Sequence, residues 1–425
     1  MSDPAPPEPK TDPGGPPPFW GPLRLPAFRR LWIANVVSNV GGWMQTAGAG
    51  WIMTELAPAD DKALFVAALA AATTVPVFFF GFPAGVLADR FDRRVYILCC
   101  QGWMMAAAAA LAVLAWTGHL NHWNLLALIF CVGIGNAVNA PAWHAVVPEI
   151  VGSKHLPQAI ALNSAGFNLA RTVGPVIGQL LHGLFGAVAL FAVNTCTFSS
   201  VIYAIARWRR PSEARAAQRR ESFVQGFLSG IAFVRGAPAL HAVWARGACF
   251  FMPAIAFSTM LPLLGRDYLH LDATAYGVLF SSFGVGAVAG TMMLPRVNAL
   301  FGPDRANIGA MLLSAAAMVA AAQSLHPVVV GVALAVAGGC WMVVIANNNV
   351  AVQSLLPSWV RARAMAVHQL VFFGSMTVGQ VAWGVVADRV GVPWAITAGA
   401  ALLVATTILA AAIRSPAPGA STGRG

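Results

Sequence analysis

Between residues 30 and 413 the chain is a succession of apolar runs, placed at 30–55, 63–88, 94–116, 123–147, 157–183, 186–206, 238–264, 273–300, 305–324, 326–356, 362–388 and 392–413. Each is long enough to cross a hydrocarbon core, which takes about 20 helical residues. Lipid offers no partner to a backbone N–H or C=O, so a run of this kind has to satisfy its own backbone as a helix. The expectation is an all-α integral membrane protein of twelve transmembrane helices, with the lipid bilayer as its surroundings. Composition agrees, since 58% of residues are hydrophobic and only 10% are charged, far too little polar surface for a soluble chain.

The net charge of +11 would suggest nucleic acid in a soluble protein, so the position of the charges decides its meaning. Lys and Arg gather at 10–30, 90–94, Lys154, 207–235, 296–305, Arg361, Arg363 and the tail, whereas the intervening loops carry only Lys62, Arg266 and Arg389. That alternation follows the positive-inside rule. It places both termini in the cytoplasm and leaves no role for nucleic acid. The excess of Arg over Lys and the abundance of Ala point to a GC-rich bacterial genome, and the expected location is the bacterial cytoplasmic (inner) membrane. The six cysteines lie in apolar runs without metal or Cys-x-x-Cys spacing, as small buried hydrophobes do.

The runs divide six and six. Residues 1–27 read as a disordered Pro-rich cytoplasmic tail, 28–207 as an N-terminal six-helix bundle, 208–236 as a cytoplasmic linker, 237–414 as a C-terminal bundle and 415–425 as a second disordered tail. In the linker, Phe223, Phe227, Ile231 and Val234 form one apolar stripe, the mark of an interfacial amphipathic helix. The halves are related: AIALNSAGFNLARTVG from Ala159 aligns without gaps to AMAVHQLVFFGSMTVG from Ala364. Duplicated bundles are a transporter architecture with a substrate site near mid-membrane between them.

Four parts of the chain carry a more specific likeness. GVLADRFDRR, with Gly85, Asp89, Arg90, Arg93 and Arg94, follows the pattern Gly-x-x-x-Asp-Arg-x-Gly-Arg-Arg between spans two and three, with Asp92 at the second Gly. ARTVGPVIGQ in span five follows an antiporter pattern through Gly174, Pro175 and Gly178, departing from it at Ala170 and Gln179. NNNVAVQSLLPSWVRARAM follows span ten, and FRRLW, GGWMQ and TEL mark span one. Through these motifs, over residues 24 to 414, the chain resembles the major facilitator superfamily, and within it the bacterial efflux branch that includes the enterobactin exporter. The resemblance implies two pseudo-symmetric bundles, a conformational latch at the Asp89 motif that stabilises the outward-facing state, and export through the Gly174-Pro175 motif. Many drug/proton antiporters of the superfamily place an Arg four residues before a Gly in span four; here Ile129 stands before Gly133, so coupling does not run through that residue.

Charges inside a span usually face protein or a wet cavity, because an Arg at a helix centre costs about 2.5–3.5 kcal/mol on insertion scales. Arg171 lies deep in span five, either as an anion-binding or coupling residue or as half of a structural pair. Arg246 is read as a snorkelling side chain, and Glu55 as an interfacial residue or a proton site. His144, His182 and His368 are proton-relay candidates against a packing role. The amides Asn35, Asn39, Gln45, Asn136, Asn139, Asn347 and Gln353 lie on spans that line the cavity in the family, and either bind substrate or bond helix to helix. Gly286 and Gly290 give a small face for close helix packing. His119 and His122 have metal-like spacing but no third ligand, and GVGAVAG lacks the strand and spacing of a dinucleotide loop, so neither a metal nor a cofactor is expected. No phosphate-binding Lys-Ser/Thr loop, catalytic triad or carboxylate pair is present in the sequence. The chain therefore reads as a secondary active transporter and not an enzyme. It is expected to be a monomer that exchanges an amphipathic small-molecule substrate, such as a drug or siderophore, for protons by alternating access. An uptake permease and a non-transporting scaffold or sensor are the alternatives.

Overall fold

The computed structural model describes residues 18–208, 237–324, 326–356 and 361–412, and they are helical almost throughout. After a 3₁₀ turn at Gly21–Arg24 come α1 (Pro26–Leu56), α2 (Lys62–Arg90), α3 (Arg93–Trp116) and a helical stretch α4 (His122–Arg207). The second half holds α5 (Pro238–Leu263) with a π turn at Leu264–Tyr268, α6 (Ala273–Phe301), α7 (Pro303–Ser324), α8 (Pro327–Ser354), α9 (Arg361–Val390) and α10 (Val392–Ala412). Among the described residues nine helices are long and apolar enough to cross a membrane.

An 86-residue α4 would be about 130 Å long if straight, several times the width of a bilayer. It bends back twice, at Gly152 (φ 65°) and Gly186 (φ 76°), where only glycine takes the left-handed backbone without a Cβ clash. The result is three arms joined by single residues. The sequence predicts a loop over 148–156 at the first break, longer than the structure makes it, and only residues 184–185 between spans at the second. The correction is physical: one positive-φ glycine reverses a helix with fewer residues than a loop needs.

The first span, α1, is a special case. It falls outside the nine apolar helices because Asn35, Asn39, Gln45 and Glu55 dilute its hydropathy, although half of it is buried. The expected tail at 1–27 is also too long at its inner end. Leu23 and Leu25 pack against Phe28, Val147 and Leu162, and Pro at the start presets the first turn of both the 3₁₀ element and α1. Residues 1–17, the linker helix expected around Phe223–Val234, and the tail at 415–425 lie outside the described residues.

Within the first half, α1, α2 and α3 all pack on α4; within the second, α8 packs on α6 and α7, and α5 on α9 and α10. Glycine sets how closely these helices approach. At Gly174 a Cβ would stand 2.9 Å from the Val40 carbonyl oxygen, at Gly178 2.8 Å from Met44 Cα, and at Gly290 2.6 Å from Gly339 Cα. At Gly286 it would overlap the Ala335 carbonyl outright. The glycines of the antiporter-like motif thus seat α1 on the middle arm of α4, and Gly286 and Gly290 seat α6 on α8.

Two seams join the halves. In one, α2 meets α9 from Ala63 and Leu64 opposite Asp388 to Phe78 opposite Gly374. In the other, the middle arm of α4 meets α6 from Gly183 opposite Thr274 to Arg171 opposite Phe283. Each seam begins at the end of the molecule that carries the loops after α1 and α5 and runs for roughly 20 Å toward the end that carries the termini. Beyond it, a Cβ at Gly85, on the far end of α2, would meet nothing within 4 Å. Among the described residues, the bonds between the halves gather toward the loop end, and the terminal end is the more open one.

Candidate functional site

Where the opening meets the closed seams, aromatic side chains from both halves converge. Trp43 of α1 stands edge-on to Phe167 of the middle α4 arm (5.8 Å between ring centroids) and 6.5 Å from Phe280 of α6. Across from them Trp341 of α8 contacts Phe250 and Phe251 of α5, Phe283 of α6 and Phe372 of α9, with centroids 5.1–6.3 Å apart. Phe250, Phe251 and Phe372 are buried behind this wall, while Trp43, Phe167, Phe280, Phe283 and Trp341 keep part of their rings exposed, the surface available for a flat guest to stack on.

Arg171 enters this wall. Its guanidinium carbon lies 5.0 Å from the Phe283 ring centroid, the residue is only 8% exposed, and its Nε and Nη2 atoms are buried without a hydrogen-bond partner. A guanidinium stays protonated under all ordinary conditions, so a cation with two idle donors is held among aromatic rings. The ring face offsets part of its desolvation, but an aromatic face accepts no hydrogen bonds from the idle donors in the guanidinium plane. The arrangement suits an anionic group carried on an apolar or aromatic body.

The other sequence candidates divide by position. Asn35 and Asn39 are half-buried on α1, Asn136 and His144 are exposed on the first arm of α4, and Asn139 keeps a buried side-chain oxygen without a partner. His368 on α9 lies 3.0 Å from Asn349 on α8 through Nε2. Three amides are turned inside a single half. Gln45 accepts from Asn194 of the last α4 arm. Asn347 bonds Asn298 and Asn307, tying α8 to α6 and α7. Gln179, which departs from the antiporter pattern, donates to the Ala47 carbonyl at 3.0 Å and clamps α1. Gln353 is exposed on the last turn of α8, and His182 keeps a buried Nδ1 without a partner. Glu55 pairs with Arg266 at 2.6 Å across the closed end, and Arg246 pairs with Asp304 at 3.0 Å within the second half.

The Asp89 motif is also distributed over several tasks. Asp92 caps α3 by accepting from Arg94 N (3.0 Å) and Val95 N (3.3 Å), which gives the departure from the family Gly a local purpose. Arg93 pairs with Glu149 of the first α4 arm at 2.5 Å, and the Arg94 guanidinium donates to the Ala206 carbonyl at the end of the last arm. Arg90 is exposed and Gly85 is open-faced. The Asp89 side chain lies outside the described residues.

The closed end holds groups that the sequence reading passed over. Lys62 pairs with Asp267 at 2.7 Å. The Thr74 hydroxyl lies 2.8 Å from both Thr377 Oγ1 and Gln380 Oε1. Asp388 accepts from the Ala63 and Leu64 amides at 2.8 and 2.9 Å. All of these bonds cross from one half to the other. The signal for Asp388 was present in the sequence, because GVVADR at 384–389 repeats GVLADR at 85–90 in five of six letters.

Residues 18–422 match the family model described as transmembrane secretion effector. The chain is similar to macrolide efflux protein A of Streptococcus pyogenes, 23% identical over 269 residues, or 63% of this chain and 65% of that protein; the matched region is thus just under two thirds of that relative. It is similar along nearly its whole length to the multidrug efflux pump Tap of Mycobacterium bovis, 24% identical over 405 residues, covering 93% and 94% of the two chains. Its fold is that of a bacterial homologue of the human lysosomal transporter Spinster, solved in an inward-facing and unoccupied conformation, with a TM-score of 0.72 over 92% of this chain and 96% of that one at 14% identity.

Proposed function

The chain belongs to the transmembrane secretion effector family of the major facilitator superfamily, and from that premise we propose that it is a secondary active exporter of amphipathic small molecules, working by alternating access. The observation that carries the reading is Arg171, a buried cation with idle donors set in an aromatic wall at the inner limit of the opening. Such a site binds a flat apolar body by ring contacts and an anionic substituent by charge-assisted bonds. Negatively charged or neutral aromatic compounds, siderophore-like chelators and lipophilic drugs fit this description; simple cations do not.

The nine apolar helices, two further crossings gained at the breaks in α4, and α1 together make the proposed twelve spans. They divide into bundles at 28–207 and 237–414 joined by a cytoplasmic linker. The charge bias orients both termini to the cytoplasm of a bacterial inner membrane. The terminal end then faces inward, and the state described is the one that loads substrate from the cell. The similarity to efflux pumps and the Gly174-Pro175-x-x-Gly178 motif support export over uptake. Protons are the proposed coupling ion, and the working unit is a monomer.

Transport into inside-out vesicles tests this reading. With an acidified lumen, anionic aromatic substrates accumulate, and the accumulation collapses when a protonophore removes the gradient. Accumulation that survives the protonophore overturns proton coupling, and failure to move any anionic or neutral aromatic compound overturns export.

A further inference from the structure

A helix begins with N–H groups that have no partner inside it. At the start of α2 the residue placed to cap them, Asp61, makes no side-chain cap bond. The cap comes from 325 residues away instead: the two carboxylate oxygens of Asp388, near the end of α9, take the Ala63 and Leu64 amides at 2.8 and 2.9 Å. One turn earlier, Gly384 brings α9 against that first turn of α2. A Cβ there would stand 2.5 Å from Ala67 Cβ, 3.2 Å from the Ala63 oxygen and 3.3 Å from Leu64 Cα. Glycine for approach and acid for capping, four residues apart, form one module that shuts the loop end.

The same six-residue pattern stands at the other end of the same seam. Helices α2 and α9 run in opposite directions, so Gly85-Val-Leu-Ala-Asp89-Arg90 closes α2 level with the start of α9. In this state a Cβ at Gly85 would meet nothing within 4 Å, while Gly384 is pressed against its neighbour. The internal repeat that aligns Ala159 with Ala364 gives neither module a counterpart. Positions 290 and 294 are Gly and Leu, and positions 179 and 183 are Gln and Gly. Both glycine-acid modules therefore belong to the α2–α9 seam, one at each end.

We propose that Asp388 is a gating residue, the latch of the loop-end-closed state, and that the Gly384–Asp388 and Gly85–Asp89 modules engage in turn. Capping of α2 by Asp388 holds the state seen here. Releasing it and seating Gly85–Asp89 on the first turn of α9 holds the opposite one. A carboxylate and a helix N-terminus attract through the charge and the dipole together, so each latch is strong when made and vanishes when the seam opens by a few ångströms. The inference rests on alternating access and on no particular substrate.

Pulsed electron paramagnetic resonance tests the exchange in full-length protein reconstituted without substrate or gradient, with the six native cysteines replaced. Spin labels at Ala59 and Val328 report the loop end, and labels at Lys154 and Leu300 the terminal end. The Asp388→Asn variant raises the ratio of loop-end-open to loop-end-closed molecules about ten-fold or more, as expected when charge-assisted bonds weaken. Asp388→Glu recovers much of the closed population, Asp89→Asn shifts the ratio the other way, and the double variant returns toward the parent value. An unchanged ratio in Asp388→Asn, a shift in the same direction as Asp89→Asn, or an Asp388→Asn chain that no longer folds overturns the latch. Because no transport is read, a failure of export leaves this result standing, and the two proposals fail separately.

Discussion

Replacing Arg171 by Met should make the empty protein more stable and the loaded one weaker. Two guanidinium donors of Arg171 are buried without partners, and an unmade buried bond costs about 1–3 kcal/mol. Met keeps the length of the side chain and removes the charge. It loses the cation–ring contact with Phe283, worth about 0.5–2 kcal/mol, and regains part of it as a sulfur–ring contact of about 0.3–1.5 kcal/mol. With both donors removed, the balance favours the variant by about 3–4 kcal/mol, a rise of several degrees in Tm. An anionic ligand, in contrast, loses charge-assisted bonds of about 1.5–3 kcal/mol each. Its Kd should rise roughly 100-fold, the equivalent of about 2.8 kcal/mol, while neutral aromatics change by less than about three-fold, well under 1 kcal/mol. Thermal unfolding followed by tryptophan emission gives the first quantity, and isothermal titration of the ligands gives the second. A lower Tm, or equal losses for anionic and neutral ligands, would show that Arg171 is structural and refute the reasoning.

Other outcomes follow from the seams. Gly384→Ala places a methyl group against Ala67 and the Ala63 carbonyl; overpacking of about 1–3 kcal/mol should fall on the loop-end-closed state alone, measured as greater labelling of a loop-end cysteine by an impermeant maleimide. Gly286→Val drives a side chain into the Ala335 carbonyl in both states, and little monodisperse protein should survive size-exclusion chromatography. Lys62→Ala removes a half-exposed ion pair with Asp267, worth about 0–1 kcal/mol; its effect on the same labelling should stay well below that of Asp388→Asn.

The apolar runs were legible because a bilayer imposes a length, and their ends agree with the helices to within a few residues at most positions. Gly152 fell in the expected gap between spans four and five and Gly186 at the start of span six, but that a single positive-φ glycine makes each reversal was not legible. Arg171 stood out in the sequence for the reason it stands out in the fold: a charge in an apolar run has to be accounted for. Its aromatic surroundings did not, since Trp43, Phe283 and Trp341 look the same in sequence whether they face lipid, core or cavity. The amides show the converse. For Gln45 and Asn347 the sequence left substrate binding and helix–helix bonding open, and the fold gives both to partners on neighbouring helices. Asp388 was overlooked because Arg389 beside it served only as an outer-loop marker in the charge bias.

The solitary charge of Arg171 has an electrical consequence. Among the described residues it bonds to no acid, so an empty site carries one positive charge deep in the membrane, and a site filled by a monovalent anion carries none. A membrane potential acts on charge by about 2.3 kcal/mol per 100 mV for each elementary charge moved through the full field. To whatever extent rocking displaces the site along that field, voltage then biases the return of the empty carrier and leaves the loaded crossing nearly untouched. If the proposed export of an anion holds, turnover would depend on membrane potential through the half of the cycle in which nothing is carried.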